Sequence, residues 1–188
     1  MTKARKAEIA KLIEQGKWIH VTGSRKNIMQ TEFYPVVRDL LRSDAVQELS
    51  AFTHHKMTTR YQHCLNVSYY NFKLCKMLHL DADSAARAGL LHDLYHYDTA
   101  KYTRSSPAAR HSRNPPEVAL RAAEKLIDMN DRERDMIGKH MWPVTVPRPK
   151  YAETYVITIV DKYCAVIEYL LPQPARLRRY VREKLFRQ

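Results

Sequence analysis

The sequence predicts an all-α fold, a single-domain helical bundle. Three observations carry that expectation. The chain has 188 residues, enough for one substantial core, but only 4 Gly and 9 Pro, too few turn formers for an all-β protein with many tight reversals. Apolar residues recur at spacings of three and four along most of the chain, which is the period of a helix face. Hydrophobic residues make up 45% and charged residues 28%, ordinary values for a globular domain.

Residues 1–50 read as an N-terminal helical extension. It holds two short amphipathic stretches, Ile9, Leu12 and Ile13, then Val36, Val37, Leu40 and Leu41 after Pro35. A domain of residues 51–171 follows. From Arg60 to Leu78, His63, Val67, Tyr70, Leu74 and Met77 fall on one helix face, with His63 at its inner end. Asp81 or Ser84 can cap the next helix, on which Ala86, Gly89, Leu90, Asp93 and Tyr97 share a face, the small Ala and Gly permitting close approach by a neighbour.

Residues 100–116 are polar and irregular and end in Pro115-Pro116, a good opening for a helix carrying Val118, Ala119, Ala122, Leu126 and Ile127. Asn130 with Glu133 resembles a capping box and starts a short helix through Ile137 to His140. After the loop WPVTVPRPK, Tyr151 to Leu171 keeps Ile157, Val160, Asp161, Cys164 and Glu168 at helical spacing. The β-branched run YVITIV argues for a strand there, but the length and the lack of Gly favour helix. Residues 172–188 read as a basic C-terminal helix, with Leu177, Val181 and Leu185 in one stripe and Arg178, Arg179, Arg182 and Lys184 outside it.

The balance of 32 Lys+Arg against 20 Asp+Glu, net +12, suits an anionic partner: nucleotide, nucleic acid or acidic surface. Cys64, Cys75 and Cys164 form neither a disulfide framework nor a CxxC pair, so a reducing, cytoplasmic setting is expected. The opening MTKARKAEIAKLIEQGKW has no apolar leader core, and no apolar run is long enough to span a bilayer.

The stretch GLLHDLYHYD, residues 89–98, places His92, Asp93 and His96 among apolar neighbours. Asp is almost never fully buried without a partner, and neutral His still needs two. His92 and Asp93 project about 100° apart on a helix, so they can share one ion only along its flank, with other helices supplying further ligands. His63 and Asp161 are the natural candidates, each an ionisable residue inside an apolar stripe of another helix. Imidazole with carboxylate suits Mn, Fe, Co, Ni or Zn in place of Ca.

With His63 in TTRYQH, His92-Asp93 in AGLLHDLYHYD and Asp161 in IVDKYC, the chain resembles the HD-domain metal-dependent phosphohydrolases over about residues 54–170. The resemblance implies an all-helical fold around a buried centre of one or two divalent transition metals, which hydrolyses phosphate esters or anhydrides. It implies that His63, His92, Asp93 and Asp161 ligate, with Asp93 bridging two ions or holding the attacking water. Some relatives add two histidines for a second ion. His140 in IGKHMWP matches one of them; Pro115-Pro116 stands where the other is usual, and His111, four residues upstream, would need a backbone shift to reach the same ion. His96 replaces a Lys found in many relatives, which gives it a phosphate-contact or general-acid role, though its i, i+4 spacing from His92 also suits a ligand. Arg60, Lys101 and Arg104 are candidates to neutralise substrate phosphates. A nucleotide is the expected substrate; the alternative is a nucleic-acid or anionic-surface binding protein with a structural metal.

Overall fold

The computed structural model describes residues 15–16, 19–54, 58–97, 115–144 and 147–170. Lys101, Arg104, His111, the stretch Ile9 to Ile13 and the basic segment 172–188 lie outside the described residues. Among the described residues are seven α-helices: α1 (Phe33–Arg42), α2 (Asp44–Gln47), α3 (Arg60–Met77), α4 (Ala82–Leu91), α5 (Pro115–Leu126), α6 (Asp131–Lys139) and α7 (Ala152–Leu170). One antiparallel pair of two-residue strands, Thr53–His54 with Thr58–Thr59, precedes α3 and was not foreseen from the sequence. No described helix is long and apolar enough to cross a membrane.

Helix α3 is the axis of the bundle. Thr59 caps it by accepting from Gln62 N at 3.2 Å, and residues on several sides are buried, among them His63, Cys64, Leu65, Val67, Ser68 and Phe72. The expected narrow stripe is therefore too simple. His63 and Val67 are fully buried, whereas Met77 is 68% exposed. A 4, 3, 4, 3 pattern drifts about 20° per heptad around a straight helix, so its far end turns out of the core.

Helix α4 lies against α3 so closely that a Cβ on Gly89 would sit 2.7 Å from Ser68 Cα. Only glycine permits that approach. Side chains of α3 fasten the contact: Ser68 Oγ donates to Ala86 O at 2.6 Å, and Asn71 Nδ2 donates to Ala85 O at 2.8 Å. Both bonds fix the rotation of α4, and with it the direction in which its C-terminal end points.

The caps follow the sequence. Asp81 accepts from Ser84 N, and Asn130 and Glu133 form the reciprocal capping box that opens α6. Pro115 begins α5, and the YVITIV run is helical within α7. Val21, Ile28, Phe33, Val37, Leu40, Leu41, Val46 and Leu49, from the part of the chain before α3, are buried in the same core as α3, α4 and α7.

Candidate metal centre

Helix α4 stops at Leu91, and His92 is its C-cap. This corrects the expectation that the helix continues through Tyr97. The chain turns here, with Leu94 N donating to Leu91 O and Tyr95 N to Asp93 O, so Asp93 is presented from a turn. His140 occupies the same station on α6, as its C-cap in the same right-handed helical conformation. Each histidine's Nδ1–H donates back to the carbonyl three residues earlier, His92 to Gly89 O and His140 to Ile137 O, both at 2.9 Å. Carbonyls at a helix C-terminus lack helical partners, and this bond uses one of them to fix the tautomer. Each Nε2 is left facing inward.

His63 from α3 and Asp161 from α7 meet these two turns. His63 Nε2 is 3.0 Å from Asp161 Oδ1, and His92 Nε2 lies 3.7 Å from the same oxygen. Asp93 stands between two rings: Oδ2 is 3.9 Å from His92 Nε2 and Oδ1 is 3.9 Å from His140 Nε2. His63, His92, Asp93 and His140 are buried, and Asp161 keeps 24% of its side chain exposed. One ligand atom from each of His63, His92 and Asp93 falls within 4.8 Å of the others.

The electrostatics of the ring are tightly coupled. Burial works against a charged His63, but hydrogen bonds to Asp161 and Glu168 outweigh it and hold its pKa up at about 9. Burial also opposes charge on His92, and is overcome by the Asp93 and Asp161 carboxylates, which raise it. Burial and the neighbouring His92 push His140 down. Burial would raise Asp161, but His63 and His92 hold it well below the carboxylate range.

Three imidazoles and two carboxylates are the donor set of a divalent transition metal. The fit is supported by His92 Nε2, a buried nitrogen with no hydrogen-bond partner, whose carboxylate neighbours are too distant for a hydrogen bond. Two helix C-termini point at the ring, and their partial negative charge also favours a cation.

The structure places other expected residues elsewhere. His96 does not join the ring: its Nε2 donates to Ala45 O at 2.9 Å and lies 3.6 Å from Glu48 Oε2. The reason is the early end of α4, which removes the i, i+4 register with His92. Arg60 is buried rather than open to a phosphate. Its guanidinium stacks 4.0 Å from the Tyr95 ring and donates to Tyr95 O and Tyr97 O, at 2.7 and 3.2 Å, so it fastens the segment after Asp93 onto the start of α3. Glu168, not expected from the sequence to take part in the site, is a partner of His63. The signal was present, an acid in the same apolar face of α7 as Asp161.

A model of the HD domain family matches residues 60–166, from the first turn of α3 to beyond Asp161. The chain belongs to the HD-domain family. It thus falls in a superfamily of metal-dependent hydrolases that bind divalent metals, and the matched stretch contains His63, His92 and Asp93, a group that could hold one. No curated protein and no solved structure gives a significant match.

Proposed function

We propose that this HD-domain protein is a phosphohydrolase that cleaves a phosphoester or phosphoanhydride, with a nucleotide as its substrate. The observation that carries the reading is the unpartnered, buried Nε2 of His92, set among His63, Asp93 and Asp161. His63, His92, Asp93 and Asp161 are the residues that would hold the ion. Bound there, a divalent transition metal supplies a water of lowered pKa and polarises a phosphoryl oxygen.

Asp93, presented from its turn, would hold the attacking water or bridge two ions. Its two oxygens face different histidines, His92 and His140, which favours a centre with room for a second ion anchored by His140. Pro115 offers no side-chain donor, so that ion is held weakly unless His111 contributes. Lys101 and Arg104 are proposed to meet the substrate phosphates, in keeping with the basic balance of the chain.

The test is phosphate release by Mn2+- or Zn2+-loaded protein from nucleoside mono- and polyphosphates, dinucleoside polyphosphates and a generic phosphodiester. At least one should be turned over by wild type and by none of the ligand variants. Metal-loaded protein that hydrolyses none of them, yet binds RNA with a steep salt dependence, would favour the nucleic-acid alternative. His140→Ala should lower metal content by up to one ion per chain while leaving the site of His63 filled.

A further inference from the structure

Glu168 lies two turns beyond Asp161 on α7 and is 3% exposed. Its carboxylate receives the Nδ1–H of His63, with Oε1 at 3.2 Å and Oε2 at 3.1 Å, and a bond of 2.6 Å from Asn66 Nδ2. Asn66 is itself held: its Oδ1 accepts from Thr22 N and from Gln62 Nε2, both at 2.9 Å, and its Nδ2 also donates to Thr22 Oγ1 at 3.0 Å. Tyr70 adds a bond from its hydroxyl to Thr22 O at 2.7 Å. The chain of contacts thus runs from the metal centre to the backbone beside Val21, which is fully buried.

We propose that Glu168 is the positioning residue of His63, and that Asn66 and the segment around Thr22 hold Glu168 in that role. The inference rests on reading His63 as a metal ligand. Its reason lies in where the three histidines sit. His92 and His140 end their helices, where a free carbonyl is available to take Nδ1–H. His63 lies inside α3, where the preceding carbonyls are occupied by the helix, so a side chain must do what Gly89 O and Ile137 O do for the others. Glu168 does it with its carboxyl group, which fixes the tautomer and strengthens the Nε2 donor. A purely structural acid could be replaced at this depth by an apolar side chain, since burying a carboxylate is costly.

The experiment uses the full chain and Zn2+ as probe. Nitrogen-15 spectra of the Zn2+-loaded wild type should show His63 protonated at Nδ1 and metal-bound at Nε2. Zn2+ titrations should show Glu168→Gln binding about 10- to 100-fold more weakly, and Asn66→Ala weaker in the same direction by a smaller factor. His63 bound to Zn2+ through Nδ1, or Glu168→Gln equal to wild type, overturns the proposal alone. Wild type that takes up no Zn2+ overturns the metal reading as well. The spectrum needs no variant, so it decides the matter even where Glu168→Gln fails to fold.

Discussion

At the corner where α6 hands over to α7, Asp135 accepts from Lys150 N at 2.8 Å, Tyr151 N at 3.3 Å and Thr154 Oγ1 at 2.7 Å, and pairs with Lys139. Two turns further along α7, Asp161 faces His63 and His92, whose ring nitrogens come from two other helices. Both acids are turned inward, but their surroundings differ in kind. Asp135 is served by donors close to it in sequence, two of them backbone amides of the turn it closes. At the second place the groups are mostly acceptors or ambivalent rings, drawn from distant parts of the chain, and one buried nitrogen has no partner. A satisfied buried acid is scaffold. A convergence of acceptors around an unmet nitrogen is a place for a cation.

The largest expected effect separates the two places by chemistry. Asp93→Asn should weaken Zn2+ binding by at least about 100-fold, more than the 10–100-fold loss typical of a supporting partner, and remove phosphate release, with the circular dichroism spectrum unchanged. Asp135→Ala should do the reverse. It leaves two amides and a hydroxyl without their acceptor and costs about 2–4 kcal/mol of stability, read from denaturant unfolding, while the folded fraction binds Zn2+ as wild type does. Equal metal loss in the two variants would erase the distinction.

Gly89→Ala should touch both scaffold and site. Its Cβ would strike Ser68 Cα, at a cost of about 1–3 kcal/mol for an overpacked contact. Because Gly89 O also orients His92, Zn2+ affinity should fall along with stability. Loss of stability with unchanged affinity would detach the tautomer bond from the helix contact.

The smallest effect is in pH. In the metal-free protein His63 has a folded pKa of about 9 against an ordinary 6.5. The stability it contributes is present in full below 6.5 and is lost as pH rises through about 9. Asp135 is held below its ordinary 3.8, its bonds to Lys139, Thr154 and two backbone amides outweighing burial. Its contribution is present above 3.8 and is lost as pH falls from there toward the folded value. Melting temperatures of the metal-free chain should therefore decline at the alkaline end in wild type and less so in His63→Gln, whereas Asp135→Ala should flatten the acid end. An alkaline decline identical in wild type and His63→Gln would remove His63 as its source.

Much of this was legible in the sequence because it depends on local rules. The capping box at Asn130, the cap at Asp81, the proline start of α5 and the close approach at Gly89 each follow from a few neighbouring residues. The convergence of His63, His92, Asp93 and Asp161 was legible because ionisable residues inside apolar stripes demand partners. What was not legible depended on where helices stop and what packs beside them. No glycine or proline marks the end of α4 at Leu91, so the i, i+4 spacing that offered His96 as an alternative ligand does not hold. Arg60 looked like a free cation because the carbonyls it serves, those of Tyr95 and Tyr97, lie 35 and 37 residues away. Glu168 was read as one more position on a helix face, since its link to His63 spans 105 residues.

Whether these side chains converge to bind a metal is read from the metal content of the protein itself. Wild type, Asp161→Ala and Asp135→Ala would be loaded with Mn2+ or Zn2+, freed of loose ions and measured for metal per folded chain. Wild type and Asp135→Ala should each retain at least one ion, and Asp161→Ala little or none. Wild-type metal content in Asp161→Ala, or a loss in Asp135→Ala to match it, would show that these side chains do not form a metal centre.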